Sequence, residues 1–278
     1  MRFPIGDSHV HTDHSVDAKG TVYEFCQKAF EMGLHEITFT NHYEIMPSRK
    51  DRMGYFMIGG EKVPAGPDAV KRMIEELREA GEHFFPAGLK VRVGLEVGWD
   101  VSLYDRLAKE LREFDLDFII GSVHDIDDEP ILERAYAPQF FQSRKIEDWI
   151  GKYFKKAEEI AESGLFNVIA HLDVYKRYGL AVYGDALRNA HEPYLESLFT
   201  KMKANDLALE VNTSGMRHGI NEYYPSIAIL NEARRAEVFV SGLGSDAHAP
   251  DQLALDFESA VALVPEILPC DLEEGYGV

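Results

Sequence analysis

The chain has 278 residues and sets 29 basic against 48 acidic side chains, a formal net charge of −19 at pH 7. Such a field repels nucleic-acid backbones and anionic membranes, and no Lys/Arg cluster offsets it, so neither a nucleic-acid polymer nor a membrane surface is expected as a partner. No apolar run reaches the roughly 20 residues of a bilayer span, no signal-peptide core opens the chain, and Cys26 and Cys270 give no disulfide framework, which together predict a cytoplasmic protein.

Hydrophobic residues make up 45% of the chain, enough for an ordinary buried core. Short apolar runs alternate with longer amphipathic ones, the pattern of repeated β/α units. Residues 3–10 predict the first strand and 20–32 the first helix. The second strand, 36–40, is followed by an insertion over 43–66 rich in Met, Gly, Pro and Tyr. A helix over 67–84 starts at Pro67-Asp68 and returns Ala69, Val70, Met73, Ile74 and Leu77 at the three- and four-residue spacing of one buried face. Strand 91–97 leads to helix 101–113, and strand 118–123 to a second insertion, 127–144, with Pro130, Pro138, Phe140 and Phe141. Helix 145–163, strand 166–170, helix 184–204, strand 208–212, helix 224–235, strand 238–243 and helix 251–264 complete seven units. Nearly continuous apolar strands are expected of a parallel sheet covered on both faces. No linker or composition shift divides residues 1–278, so an α/β fold in a single domain is predicted.

Residues able to do chemistry recur at the strand ends. His9 and His11 close the first strand, His42 follows the second, Glu96 ends the third, His124 follows the fourth and His171 the fifth. Asp246 and His248 follow the seventh. In a parallel α/β barrel the C-terminal strand ends share one mouth, so these residues are predicted to meet in space. Taken singly, any of the eleven histidines has an ordinary structural explanation, and His35, His83 and His191 keep it because they lie in or beside helical patterns. Packing does not predict His or carboxylate at nearly every strand end. In His9-Val10-His11, residues i and i+2 project to one side of a strand, so both imidazoles reach one ion. Imidazole and carboxylate without thiolate suit Zn, Mn or Fe.

The motifs Asp7-Ser8-His9-Val10-His11-Thr12, Thr40-Asn41-His42, Gly94-Leu95-Glu96, Gly121-Ser122-Val123-His124 and Gly244-Ser245-Asp246-Ala247-His248 occur in an order that resembles the polymerase-and-histidinol-phosphatase (PHP) superfamily. The resemblance runs over about residues 3 to 264. Asn41-His42-Tyr43-Glu44, Ile169-Ala170-His171-Leu172-Asp173 and Glu210-Val211-Asn212-Thr213-Ser214-Gly215 look most like its histidinol-phosphate phosphatase branch. It implies a distorted (β/α)7 barrel and roughly two to three divalent transition metals, Zn, Mn or Fe. Carried over residue by residue, it gives His9, His11, Glu96 and Asp246 one metal, and Glu96, His124 and His171 a second, with Glu96 bridging. Asp17, His42 and His248 receive a third. In the family that the chain resembles, a ligand lies eight residues after the first histidine, which selects Asp17 over His14 and leaves His14 as a supporting or substrate-facing residue; a turn or helix-capping role is the competing reading of Asp17. Glu96, His124 and Asp246 form the catalytic set. The implied reaction is hydrolysis of a small phosphate monoester, L-histidinol phosphate to L-histidinol and phosphate, a step of histidine biosynthesis.

Phosphate capture by so acidic a chain needs placed cations. Arg177 after the fifth strand and Arg217 after the sixth are expected over the mouth, where a guanidinium fork grips phosphate oxygens, and a loop salt bridge is the competing role for each. Lys176 and His218 are possible substitutes. Asn212 either orients substrate or holds a turn, and Tyr43, Tyr55, Phe56 and Glu44 either grip the substrate or pack the insertion. Three rival functions stay open: a related phosphoesterase acting on nucleotides or other small phosphates, hydrolysis of a C–N bond at a similar metal barrel, and a non-catalytic metal-binding regulatory domain.

Overall fold

The computed structural model describes residues 6–263. At its centre lie β1 (Asp7–Val10), β2 (Glu36–Tyr43), β3 (Lys90–Gly98), β4 (Phe118–Ser122), β5 (Val168–Ile169), β6 (Ala208–Asn212) and β7 (Val240–Gly244), seven parallel strands paired side by side in chain order. Successive parallel neighbours joined through helices are the product of right-handed β/α crossovers. The sheet curls until its edges meet. Val10 bridges Ala247, the His11 N–H donates to Ala247 O at 2.8 Å, and the Asp246 N–H donates to His9 O at 2.8 Å. The outcome is a nearly closed barrel, distorted because β5 is only two residues long and the β1–β2 and β6–β7 pairings shift register.

Several boundaries differ from the sequence reading, and two of them matter for the site. β2 continues to Tyr43, so His42 sits inside the strand and pairs with Glu96 of β3. The turn after β5 is also followed by a helix, Lys176–Tyr183, which takes Arg177 out of the expected loop; the helix expected over 184–204 begins only at Glu192. The insertion after β2 folds into a short helix, Lys50–Met53, and an antiparallel hairpin of Tyr55–Ile58 with Glu61–Pro64. The second insertion folds Glu129–Pro130 back on Asp125–Ile126, just before it, in an antiparallel hairpin, and holds the helix Ala137–Gln142. The first residues of the predicted strand 3–10, and residue 264 of the last predicted helix, lie outside the described residues.

The outer helices follow their sequence signals. Thr21 caps Val22–Met32 in a capping box with Glu24, and Gly33 ends that helix in the left-handed conformation. The helix Pro67–Phe84 buries Val70, Met73, Ile74 and Leu77 as its spacing requires. Along the strands, alternation turns every second residue inward. Phe118, Ile120, Val168, Ala170 and Ala208 form a small apolar cluster apart from the main core. It lies on the same strand face as Glu96 and Glu210 and is the floor on which the polar residues stand. Among the described residues, no helix is long and apolar enough to cross a membrane.

Candidate functional site

The strand ends converge as their order requires. His9 Nε2 and His11 Nε2 lie 3.0 Å apart, and Asp246 Oδ1 is 3.8 and 3.4 Å from them. Glu96 divides its two oxygens. Oε1 lies 3.1 Å from His124 Nε2 and 2.9 Å from His171 Nε2, while Oε2 lies 3.5 Å from both His9 Nε2 and His11 Nε2 and 2.9 Å from His42 Nδ1. Ser122 Oγ donates to Oε1 at 2.5 Å and fixes the carboxylate plane. Asp17 Oδ2 is 3.6 Å from both His42 Nε2 and His248 Nε2. Donor atoms of three sets, His9/His11/Glu96, Glu96/His124/His171 and His11/His42/His248, lie within 4.8 Å of one another, close enough to hold metal ions.

The donor chemistry fits such ions. Glu96 and the imidazoles of His9, His11, His42, His124 and His171 are buried, yet His11 Nδ1, His42 Nδ1 and His171 Nδ1 have no hydrogen-bond partner among the described residues. His9 Nε2 and His11 Nε2, 3.0 Å apart, also converge closely enough to serve one ion. The electrostatics agree. Burial alone would raise the Glu96 carboxyl, but His124, His9 and His42 hold it well below the ordinary range. Asp246 is likewise held low against burial by His9, His11 and His248. Burial would also lower His9, yet Glu210, Glu96 and Asp246 lift it well above an ordinary histidine, and Asp17 and Glu96 do the same for His42. His11 goes the other way, driven well down by burial and by the charges of His42 and His248. The site thus gathers carboxylates held in the charged form among imidazoles, a donor set that a buried cation would stabilise.

The backbone bends to build it. His171 and Asp246 have φ of 25° and 53°, in the left-handed region that non-glycine residues seldom occupy. Each such residue costs about 1–3 kcal/mol and persists only where the surroundings enforce it. Here they do. The His171 N–H donates to Glu210 Oε1 at 2.7 Å, and the carbonyls of Ser245 and Asp246 accept from the Arg217 guanidinium at 2.9 to 3.2 Å. Gly244 leaves room for His9 and Glu210, since a Cβ there would stand 2.6 Å from His9 Cβ and 2.8 Å from Glu210 Oε2.

Two carboxylates have a supporting role that the sequence does not show. Glu210 Oε2 meets His9 Nδ1 at 3.0 Å, and Glu44 meets His124 Nδ1, each fixing the ring whose other nitrogen faces the cluster. Arg49 Nε stands 3.5 Å from Glu44 Oε2, and its Nη1 donates to His124 O at 3.3 Å. A glutamate within the apolar run 208–212 was the available signal for Glu210. For Glu44 it was the i+2 spacing from His42. Glu44 is thus a support of His124.

Other candidates are placed differently from expectation. His14 is buried away from the donor sets, between Thr12 Oγ1 at 2.9 Å and Glu76 Oε2 at 3.2 Å. Asn212 spends its amide on Glu210 Oε1 and on the Ser214 N–H, both at 3.0 Å, so it holds a turn and a supporting carboxylate. Lys176 is buried between Asp173 and Glu222, at 2.7 and 2.9 Å, and is not available to an anion. Tyr43 and Phe56 are fully buried and stack on each other, which is packing. Arg217 lies on the short helix Ser214–Arg217 and grips the Asp246 turn. Arg177 rests against the Tyr178 ring and has no carboxylate partner among the described residues. Beside both guanidiniums, His218 is pushed down to about 3, by burial first and then by Arg177 and Arg217, so it stays neutral.

Comparison with known proteins places this geometry. The PHP domain model matches residues 7–214. A Deinococcus radiodurans protein named "Probable histidinol-phosphatase" is 32% identical over 273 residues, covering 94% of this chain and 93% of that one. The histidinol-phosphatase of Bacillus subtilis is 24% identical over 268 residues, covering 91% and 97%. Among solved structures, the Lactococcus lactis histidinol phosphate phosphatase, complexed with zinc, L-histidinol and phosphate, superposes with a TM-score of 0.75 at 22% identity, over 95% of this chain and 94% of that one. With a family model spanning most of the chain and a near-full-length relative at this identity, the protein belongs to the PHP domain family.

Proposed function

We propose that the protein is a metal-dependent phosphatase that hydrolyses L-histidinol phosphate to L-histidinol and phosphate, a cytoplasmic step of histidine biosynthesis. The observation that carries this reading is the division of Glu96 between two groups of imidazoles, Oε1 toward His124 and His171 and Oε2 toward His9 and His11. A bridging carboxylate of that kind suits a pair of ions. His9, His11, Glu96 and Asp246 would hold one, Glu96, His124 and His171 the second, and Asp17, His42 and His248 a third. Divalent metals bound there supply Lewis acidity toward the phosphate oxygens and the attacking water.

The chain's own residues do the rest. Glu210 and Glu44 set the ring orientation of His9 and His124, and Arg217 fixes the turn that presents Asp246. Arg177, without a carboxylate partner among the described residues, is the side chain best suited to meet an incoming phosphate, and neutral His218 beside it adds no competing charge. In a chain of net charge −19, a small dianionic ester is drawn in only locally, by these groups, which favours a small molecule over a polyanion. Release of inorganic phosphate should be measured over a panel holding L-histidinol phosphate, mononucleotides and sugar phosphates, with Zn or Mn supplied. Preference for L-histidinol phosphate supports the reading. Preference for a nucleotide overturns the substrate, and no hydrolysis by metal-replete protein overturns the reaction.

A further inference from the structure

Asp17 belongs to a loop, while His42, the ring it faces, belongs to the barrel. Something must hold that loop at the right height above β2. The hairpin strand Tyr55–Ile58 braces its outer side, through the Ser15–Phe56 bridge and the Met57 N–H on His14 O at 2.9 Å, and Asn41, fully buried, ties it to β2 with one atom. Its Oδ1 accepts from the Thr12 N–H at 2.9 Å, from Thr12 Oγ1 at 3.2 Å and from Ser15 Oγ at 3.0 Å. Ser15 Oγ then accepts the His42 N–H at 3.1 Å. The loop bearing Asp17 is therefore tied both to the residue before His42 and to the backbone of His42 itself.

Strand alternation explains why residue 41 can serve. Thr40 and His42 face the barrel interior, and Asn41 faces the outer helices, where its Nδ2 reaches Met73 Sδ at 3.5 Å. That leaves only the carbonyl for the loop, which presents three donors. The far end of the loop is fixed separately, by the Lys19 N–H on His248 O at 2.8 Å and the Asp13 N–H on Gly20 O at 2.9 Å. The Asn41 end sets the approach of Asp17 to His42, and the Lys19 end sets its approach to His248.

We infer that Asn41 is a positioning residue for the Asp17/His42/His248 set and so governs the affinity of one ion without touching it. This rests on the metal assignment proposed above. Metal-free wild type, Asn41→Ala, Asn41→Asp, Asp17→Ala and the Asn41→Ala/Asp17→Ala pair should be titrated with Zn against a chromophoric chelator, with bound metal counted by elemental analysis. In Asn41→Ala one ion should bind about tenfold or more weakly, the usual scale for a support of a metal ligand, and the others as in wild type. Asn41→Asp keeps the acceptor and should restore that ion. The double variant should bind as Asp17→Ala alone. Wild-type affinity for every ion in Asn41→Ala overturns the inference, as does additive loss in the double variant. If Asn41→Ala does not fold, Ser15→Ala, which cuts the link to the His42 N–H, should show the same selective loss, and its absence there overturns the inference too. Wild type that binds no third ion would instead overturn the metal assignment, and this inference with it.

Discussion

His42 and Glu96 face each other in register across β2 and β3, and their side chains meet at 2.9 Å between Nδ1 and Oε2. The contact lacks hydrogen-bond geometry, and His42 Nδ1 has no hydrogen-bond partner among the described residues. Two strands thus present an acid and a base side by side with both left available to a cation. Every other donor reaches this pair from a loop or strand end around the same mouth.

Glu96→Gln should be the most damaging single change in the site. An amide keeps the shape but removes the charge that offsets the surrounding ions and the second anionic oxygen that spans them. Altering a mere support of a ligand costs about 10–100-fold in metal affinity or activity, so losing the bridging carboxylate should cost more. Phosphate release and metal content measured together decide it: near-wild-type activity with full metal content would remove the bridging role.

Glu44→Gln and Glu210→Gln should each weaken metal binding by about 10–100-fold while leaving the fold intact. His124 and His9 would lose the carboxylates that fix their rings. Activity should recover as metal concentration is raised, because the ligands themselves remain. Activity against free metal concentration, held by a metal buffer, would show the shift; an unchanged midpoint would make these carboxylates purely structural.

Removal of the metal should change the pH dependence of stability. In the metal-free chain His9 and His42 are held well above the ordinary 6.5 by neighbouring carboxylates. Their contribution is fully present below 6.5 and is lost as pH rises through the raised values. The depressed carboxyls of Glu96 and Asp246 act at the other end, losing their contribution only as pH falls through the acid range. Buried His11, held low, adds a penalty below 6.5 and none above it. The melting temperature of chelated protein should therefore decline on the alkaline side, and the increment given by added metal should grow there, because bound ions replace the protons. Thermal denaturation from neutral to alkaline pH, with and without chelator, tests this, and a metal increment that shrinks with rising pH would contradict it.

The two arginines should separate. Arg177→Ala should lower kcat/KM with metal content and melting temperature nearly unchanged, since its side chain has no carboxylate partner among the described residues. A charge-assisted hydrogen bond contributes about 1.5–3 kcal/mol, so the loss should be on the order of tenfold to more than a hundredfold. Arg217→Ala should also reduce stability and metal retention, because it releases the Ser245 and Asp246 carbonyls that fix the strained turn. Steady-state kinetics, metal content and melting curves on both variants give the comparison. Equal behaviour of the two would show that the guanidiniums share one role.

The sequence by itself determined the seven β/α units and the residues at their C-terminal ends, because apolar periodicity and strand-end position are local properties that a parallel barrel converts directly into convergence. His9, His11, Glu96, His124, His171, Asp246 and His248 were legible for that reason. The partners of those residues were not. Glu210 and Glu44 meet their histidines across 201 and 80 positions of chain, and no local pattern encodes which buried carboxylate turns toward which ring. The same holds for the cations. Sequence placed Arg177, Arg217 and Lys176 together near the mouth, but a long flexible side chain goes to the strongest available acceptor. Only the tertiary structure decided that Lys176 is taken by Asp173 and Glu222 and Arg217 by two backbone carbonyls, leaving Arg177 without a carboxylate partner among the described residues.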